Sequence, residues 1–144
     1  QGFCLFSANL GRIVGSTSCV ATSDTDNVVF MMRIKNDGTP ARAGFTRFVL
    51  GRNPEPTQFV TVIAYRHKAT GAWILSTSWV GEAAAKEPWD STCTDEDYVK
   101  SVSFWSNNAL CDDGSNPVNR DLVSSDPNSV GYFNRRLALP EVQE

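Results

Sequence analysis

Residues 58–80 read QFVTVIAYRHKATGAWILSTSWV. In the first arm, Phe59, Thr61, Ile63 and Tyr65 alternate with Val60, Val62 and Ala64. That period of two predicts a β-strand over 58–66. His67-Lys68-Ala69-Thr70-Gly71 follows as a hairpin loop with glycine at its end. The second arm starts at once: Trp73, Leu75, Thr77 and Trp79 are expected on one face, Ile74, Ser76, Ser78 and Val80 on the other. Two β-rich arms around a glycine-containing loop make a hairpin, and the hairpin points to an antiparallel fold.

Upstream, Val28, Phe30, Met32 and Ile34 alternate with Val29, Met31 and Arg33. Both faces begin apolar, which is the pattern of a centrally placed strand. Lys35-Asn36-Asp37-Gly38 turns the chain and Pro40 keeps the connection out of a ladder. Phe45-Thr46-Arg47-Phe48-Val49-Leu50 is the next strand, stopped by Gly51-Arg52-Asn53-Pro54-Glu55-Pro56. Downstream, 81–87 has high helix propensity and an i,i+4 Glu82–Lys86 pair, so a short connecting helix is expected, ended by Pro88. A fifth strand is expected over 98–105. Residues 106–129 form a long polar stretch with Asn-Asn, Asp-Asp-Gly, Asn-Pro and Asp-Pro turn formers, interrupted by a brief strand at 120–123. A last strand is expected over 130–139, ended by Pro140 before an acidic tail. Six to seven short strands with turn signals between them predict an all-β fold: a single-domain antiparallel β-sandwich spanning 1–144, or alternatively a β-barrel.

The 144 residues carry a net charge of −3. Phosphate binding requires a clustered basic surface, so nucleic acid is not the expected partner. Arg135-Arg136 is the densest basic spot, with Arg33, Lys35, Arg42, Arg47 and Arg52 scattered upstream. No run is apolar enough for a membrane helix. The chain begins at Gln1 rather than Met, as expected of a mature protein whose leader has been removed.

Cys4, Cys19, Cys93 and Cys111 are an even set without a C-x-x-C pair, which favours disulfides over zinc. Two bridges are expected, with Cys4–Cys19 and Cys93–Cys111 preferred because those loops are short. Disulfides in turn predict a secreted, extracellular protein.

The single histidine, His67, sits in a hairpin loop and lacks the nucleophile and orienting partner of a catalytic set. Asp95-Glu96-Asp97 could supply carboxylates, but adjacent acids point in different directions and fit a solvated strand entry. Asp112-Asp113-Gly114-Ser115-Asn116 offers hard oxygens without the order of a calcium loop and fits a turn. An enzyme is therefore not expected, nor a cofactor or metal. Trp73, Trp79, Trp89 and Trp105 lie close together in sequence. Aromatic residues on a β-surface stack on flat ligands and anchor interfaces. Trp73, Trp79, Trp89, Tyr65 and Asp97 are the expected ligand- or partner-binding residues.

Trp89-Asp90-Ser91-Thr92 followed by Asp97-Tyr98 resembles the penultimate motif of the avidin family, in which a Trp and a polar side chain eight residues on touch biotin. Trp79 within Ser76-Thr77-Ser78-Trp79, and Gly44-Phe45-Thr46, fall at avidin-like spacings. The resemblance runs from Gly44 to Tyr98. It implies a small-ligand barrel with Trp79, Trp89, Tyr65 and Asp97 near the ligand, although Ile63 and Phe59 replace polar or aromatic binding residues. Separately, Gln1-Gly2-Phe3-Cys4 and Arg33-Ile34-Lys35-Asn36-Asp37-Gly38 are similar to the ToxA-like effectors of plant-pathogenic fungi, which are small secreted β-sandwiches.

The expected function is therefore a secreted β-sandwich binding protein, an effector or toxin that recognises a host protein or glycan through the Trp73/Trp79 face or the 106–129 loop. A small-ligand barrel of avidin-like or lipocalin-like kind is one alternative. A structural or assembly subunit, joined through exposed β edges, is another.

Overall fold

The computed structural model describes residues 2–135. In chain order its elements are β1 (Phe3–Asn9), β2 (Gly15–Thr17), β3 (Cys19–Ala21), β4 (Asn27–Ile34), β5 (Pro40–Leu50), β6 (Glu55–Thr57), β7 (Phe59–Arg66), β8 (Trp73–Val80), α1 (Asp95–Asn107), β9 (Asn108–Cys111) and β10 (Val118–Ser124). They fall into two compact units, residues 2–18 with 54–84 and residues 19–53 with 85–135.

The first unit holds a three-stranded antiparallel sheet in the order β1-β7-β8 and a small β2·β6 ribbon. The hairpin expected from 58–80 is present as β7 and β8. His67 N–H donates to Ala72 O and Gly71 N–H to His67 O, both at 2.8 Å. Gly71 takes φ +72°, a left-handed conformation that glycine adopts without a Cβ penalty. β1 runs along the other side of β7 in register from Phe3↔Tyr65 to Asn9↔Phe59. A hydroxyl chain links the unit: Ala83 N–H donates to Ser7 Oγ at 3.2 Å, Ser7 and Thr61 share a hydrogen bond of 2.7 Å, and Thr61 donates to Gly81 O at 2.6 Å. The fully buried Thr61 hydroxyl is thereby satisfied in both directions.

The second unit is a five-stranded sheet in the order β10-β4-β5-β9-β3, antiparallel throughout except for β5·β9. β4 is flanked on both sides, as its two apolar faces predict. The core forms three groups: Val29, Met31 and Phe48; Val20, Val49, Ala109 and Cys111; and Phe30, Trp89, Trp105 and Tyr132.

Several expectations are corrected. The 98–105 stretch is helical, within α1. Thr94 caps it: its Oγ accepts from Asp97 N–H at 3.2 Å and its hydroxyl donates to the Asp97 carboxylate at 3.0 Å. Asp95, Glu96 and Asp97 fill the first turn, where negative charge is favoured by the helix dipole. Residues 81–87 form no helix. The carbonyls of Ala85 and Lys86 accept instead from two α1 side chains, Trp105 Nε1 at 2.8 Å and Ser101 Oγ at 2.6 Å. The 106–129 stretch is not a long loop, since it contains the end of α1, β9 and β10. Residues 130–135 turn rather than extend, with Tyr132 N–H on Pro127 O and Asn134 N–H on Gly131 O. The rest of that expected strand, with Arg136 and the acidic tail, lies outside the described residues.

The fold class also changes: a mostly β chain with one helix and ten strands among the described residues, in sheets that do not close. β1 and β8 end one sheet and β10 and β3 another, so among the described residues no sheet closes on itself and the β-barrel alternative is corrected. None of the four cysteines forms a disulfide. Short sequence separation was a poor guide because each thiol is placed by its own element. Cys4 lies exposed on β1 opposite Ala64. Cys93 is buried just before the α1 cap, and Cys111 is buried at the end of β9 against Val20, Val49 and Ala109. Cys19 stands opposite Leu110 on β3. Without the bridges, the cysteine argument for an exported chain no longer stands.

Candidate functional site

Side chains directly opposite one another across a ladder share a face. Trp79 is opposite Thr61 and Trp73 opposite Arg66. Thr61 and Arg66 are an odd number of residues apart on β7, so the two tryptophans face opposite sides of the sheet. The cause is a register shift: Ile63 pairs with Thr77 but Ala64 with Leu75, leaving Ser76 as the extra residue of a bulge. Thus the expected Trp73/Trp79 face does not exist. One face carries Phe3, Leu5, Ile63, Tyr65, Ile74 and Trp79. The other carries Cys4, Phe6, Val62, Ala64, Trp73 and Leu75.

Both faces present apolar groups to solvent. Trp73 is 57% exposed and Trp79 38%. The Arg66 guanidinium lies over the Trp73 ring at 5.5 Å from its centroid and donates through Nε to Gly71 O at 3.0 Å. Tyr65 is half-buried, with its ring 5.6 Å from that of Phe3. On β1, Phe3 is 63% exposed, Leu5 52% and Phe6 49%. Among the described residues β1 is an edge strand with a single neighbour, β7. Its sequence, FCLFSAN, contains no charge, no proline and no glycine. Charges and proline are among the devices that commonly protect natural edges. The sequence reading assigned no strand here and so missed Phe3, Leu5 and Phe6. The available signal was a short uncharged apolar run, which periodicity alone cannot classify.

The other two expected binding residues belong to the second unit and have structural roles. Trp89 is buried beside Phe30, Trp105 and Tyr132, and its Nε1 donates to Phe45 O at 2.7 Å. Asp97 is part of the helix cap. His67 Nδ1 accepts from Ala69 N–H at 3.2 Å within its turn. Asp112 receives both arms of Arg120 at 2.8 and 2.9 Å, and Asp113 Oδ1 accepts from Ser115 N–H at 3.0 Å. Among the described residues no group of His, Cys, Asp and Glu is arranged to hold a metal ion, and no helix is long and apolar enough to cross a membrane.

A polar cluster that the sequence reading did not anticipate lies in the second unit. Glu87 is buried beneath Tyr132 and β5. Its carboxylate accepts from Thr46 Oγ at 3.0 Å and Tyr132 OH at 3.2 Å, with Arg33 Nη2 at 3.8 Å. Burial pushes its pKa up to about 7, against the opposing pull of Arg33. The Tyr132 hydroxyl is raised well above its usual range, first by burial and then by the Glu87 charge. Burial also lowers Arg33. The charges are thus held at a distance longer than a hydrogen bond, in a place where desolvation outweighs their attraction. No family model, no curated protein and no solved structure matches this chain.

Proposed function

We propose that this chain is an assembly protein that binds a second copy of itself by strand addition at β1. The observation that carries this reading is the edge strand Phe3–Asn9, which is exposed, apolar on both faces and without a charge or proline. Such an edge offers a row of backbone donors and acceptors to an incoming strand. A second copy is the fitting occupant because the edge is self-complementary. Antiparallel pairing of two β1 strands about a two-fold axis sets uncharged side chains against uncharged side chains on both faces. It also joins two three-stranded sheets into one of six strands, bringing together the Phe6 faces, which Leu75 and Trp73 extend. Exposed apolar surface of this kind is characteristic of interaction sites.

Sedimentation velocity of the full chain tests it. The wild type is expected to pass from monomer to dimer as concentration rises. Phe6→Lys places a like charge on both copies and should leave a monomer with an unchanged circular dichroism spectrum. Leu122→Lys, on exposed β10, should dimerise as the wild type does. A wild type that stays monomeric throughout, or a Phe6→Lys variant that still dimerises, overturns the proposal.

A further inference from the structure

The ladder between β4 and β5 breaks next to the hairpin turn at 35–39. Met32 pairs with Phe45, but the next pair is Ile34 with Pro40. Two steps along β4 are matched by five along β5, so 41–44 stand off the ladder opposite Arg33. A bulge of this kind re-aims side chains. Here it opens a cleft of about 150 Å³ lined by Arg33, Ile34, Ala41, Arg42, Asn116 and Pro117. Pro117 O holds the far wall by accepting from Ile34 N–H at 3.0 Å.

The cleft contains an under-coordinated guanidinium. Arg33 has five N–H donors in a fixed fork. Its Nη1 donates to Asn116 Oδ1 at the long distance of 3.4 Å, and its Nη2 is 3.8 Å from Glu87. Its Nε is buried and has no hydrogen-bond partner among the described residues. Arg42, exposed on the displaced segment, makes no hydrogen bond to a described residue, and its charge repels that of Arg33. Two guanidiniums beside one small cleft, one of them largely desolvated, form an electrostatic arrangement that an anion stabilises. Ile34, Ala41 and Pro117 supply an apolar wall.

We infer that this cleft binds a small oxyanion-bearing ligand, with the charged group between Arg33 and Arg42 and its apolar part against Ile34, Ala41 and Pro117. Planar guanidiniums match carboxylate and phosphate oxygens alike through paired N–H donors. The shared chemistry is the oxyanion. The inference is independent of assembly at β1.

The test is titration of the ¹⁵N-labelled full chain, in separate arms, with inorganic phosphate and with acetate, reading the arginine Nε–Hε resonances. Concentrations to about 20 mM saturate a site with a Kd near 1 mM. Arg33 and Arg42 are expected to shift together and saturably, and the arm with the lower Kd assigns the ligand group as phosphate or carboxylate. Arg42→Gln, on an exposed side chain, should keep the fold and weaken binding about tenfold or more. Shifts that fail to saturate in both arms, or saturable binding that Arg42→Gln leaves unchanged, overturn the inference.

Discussion

Trp73 and Trp79 lie on one strand and face opposite sides of its sheet, because the bulge at Ser76 inverts the alternation between them. Both rings are solvent-accessible, whereas Trp89 and Trp105 are buried and hydrogen-bonded to backbone carbonyls. Acrylamide should therefore quench only part of the tryptophan emission. In Trp73→Phe/Trp79→Phe the remaining emission should be protected. Full quenching in that double variant would place Trp89 or Trp105 at the surface.

Glu87 predicts a falling stability in the range from pH 4.5 to 7. The folded chain holds the Glu87 proton up to about 7, whereas the unfolded carboxyl releases it near 4.5. Between those values the folded state binds more protons, so unfolding becomes easier as pH rises. The loss amounts to about 3 kcal/mol, since each tenfold change in proton affinity is worth roughly 1.4 kcal/mol. Urea unfolding across this range should show that slope in the wild type and a flatter one in Glu87→Gln. Equal slopes would mean that Glu87 titrates as an ordinary carboxyl.

The cysteines predict four thiols on unfolding without reductant. In the folded chain at pH 8, an alkylating reagent should modify exposed Cys4 first. Cys93 and Cys111 are buried. Burial, and then the neighbouring Cys111, pushes the Cys19 thiol up to about 11, leaving on the order of one thiolate in a thousand at that pH. Mass spectrometry of the alkylated chain reads the order, and fewer than four thiols in denaturant would show a bridge.

The strands legible in the sequence were those whose alternation is reinforced by clear stops. β4, β5, β7 and β8 appear within a few residues of expectation, apart from the longer start of β5 at Pro40. The helix α1 was misread because 98–105 fits two periods. Val99, Ser101, Ser103 and Trp105 alternate, while Tyr98, Ser101, Val102 and Trp105 recur at i, i+3, i+4 and i+7. The deciding signal was Thr94 with Asp97 three residues on, a helix N-cap signature. The converse error, at 81–87, came from propensity. Alanines favour a helix weakly, and here side-chain bonds from Trp105 and Ser101 to that backbone override the preference. The candidate surface was half legible. Trp73, Trp79 and Tyr65 do lie on one small sheet. No pattern in 73–80 signals the bulge at Ser76, which is set by pairing with β7. Glu87 and Arg33 meet through tertiary packing, to which single-sequence periodicity is blind.

Hydrogen exchange of the β1 amides as a function of protein concentration tests the assembly reading most directly, because strand addition is made of backbone hydrogen bonds. As the dimer fills, outward-facing amides within Phe3–Asn9 should gain protection while those of β8, at the opposite edge, stay unchanged. Dimerisation without that gain, or protection appearing on β8 instead, would contradict assembly through β1.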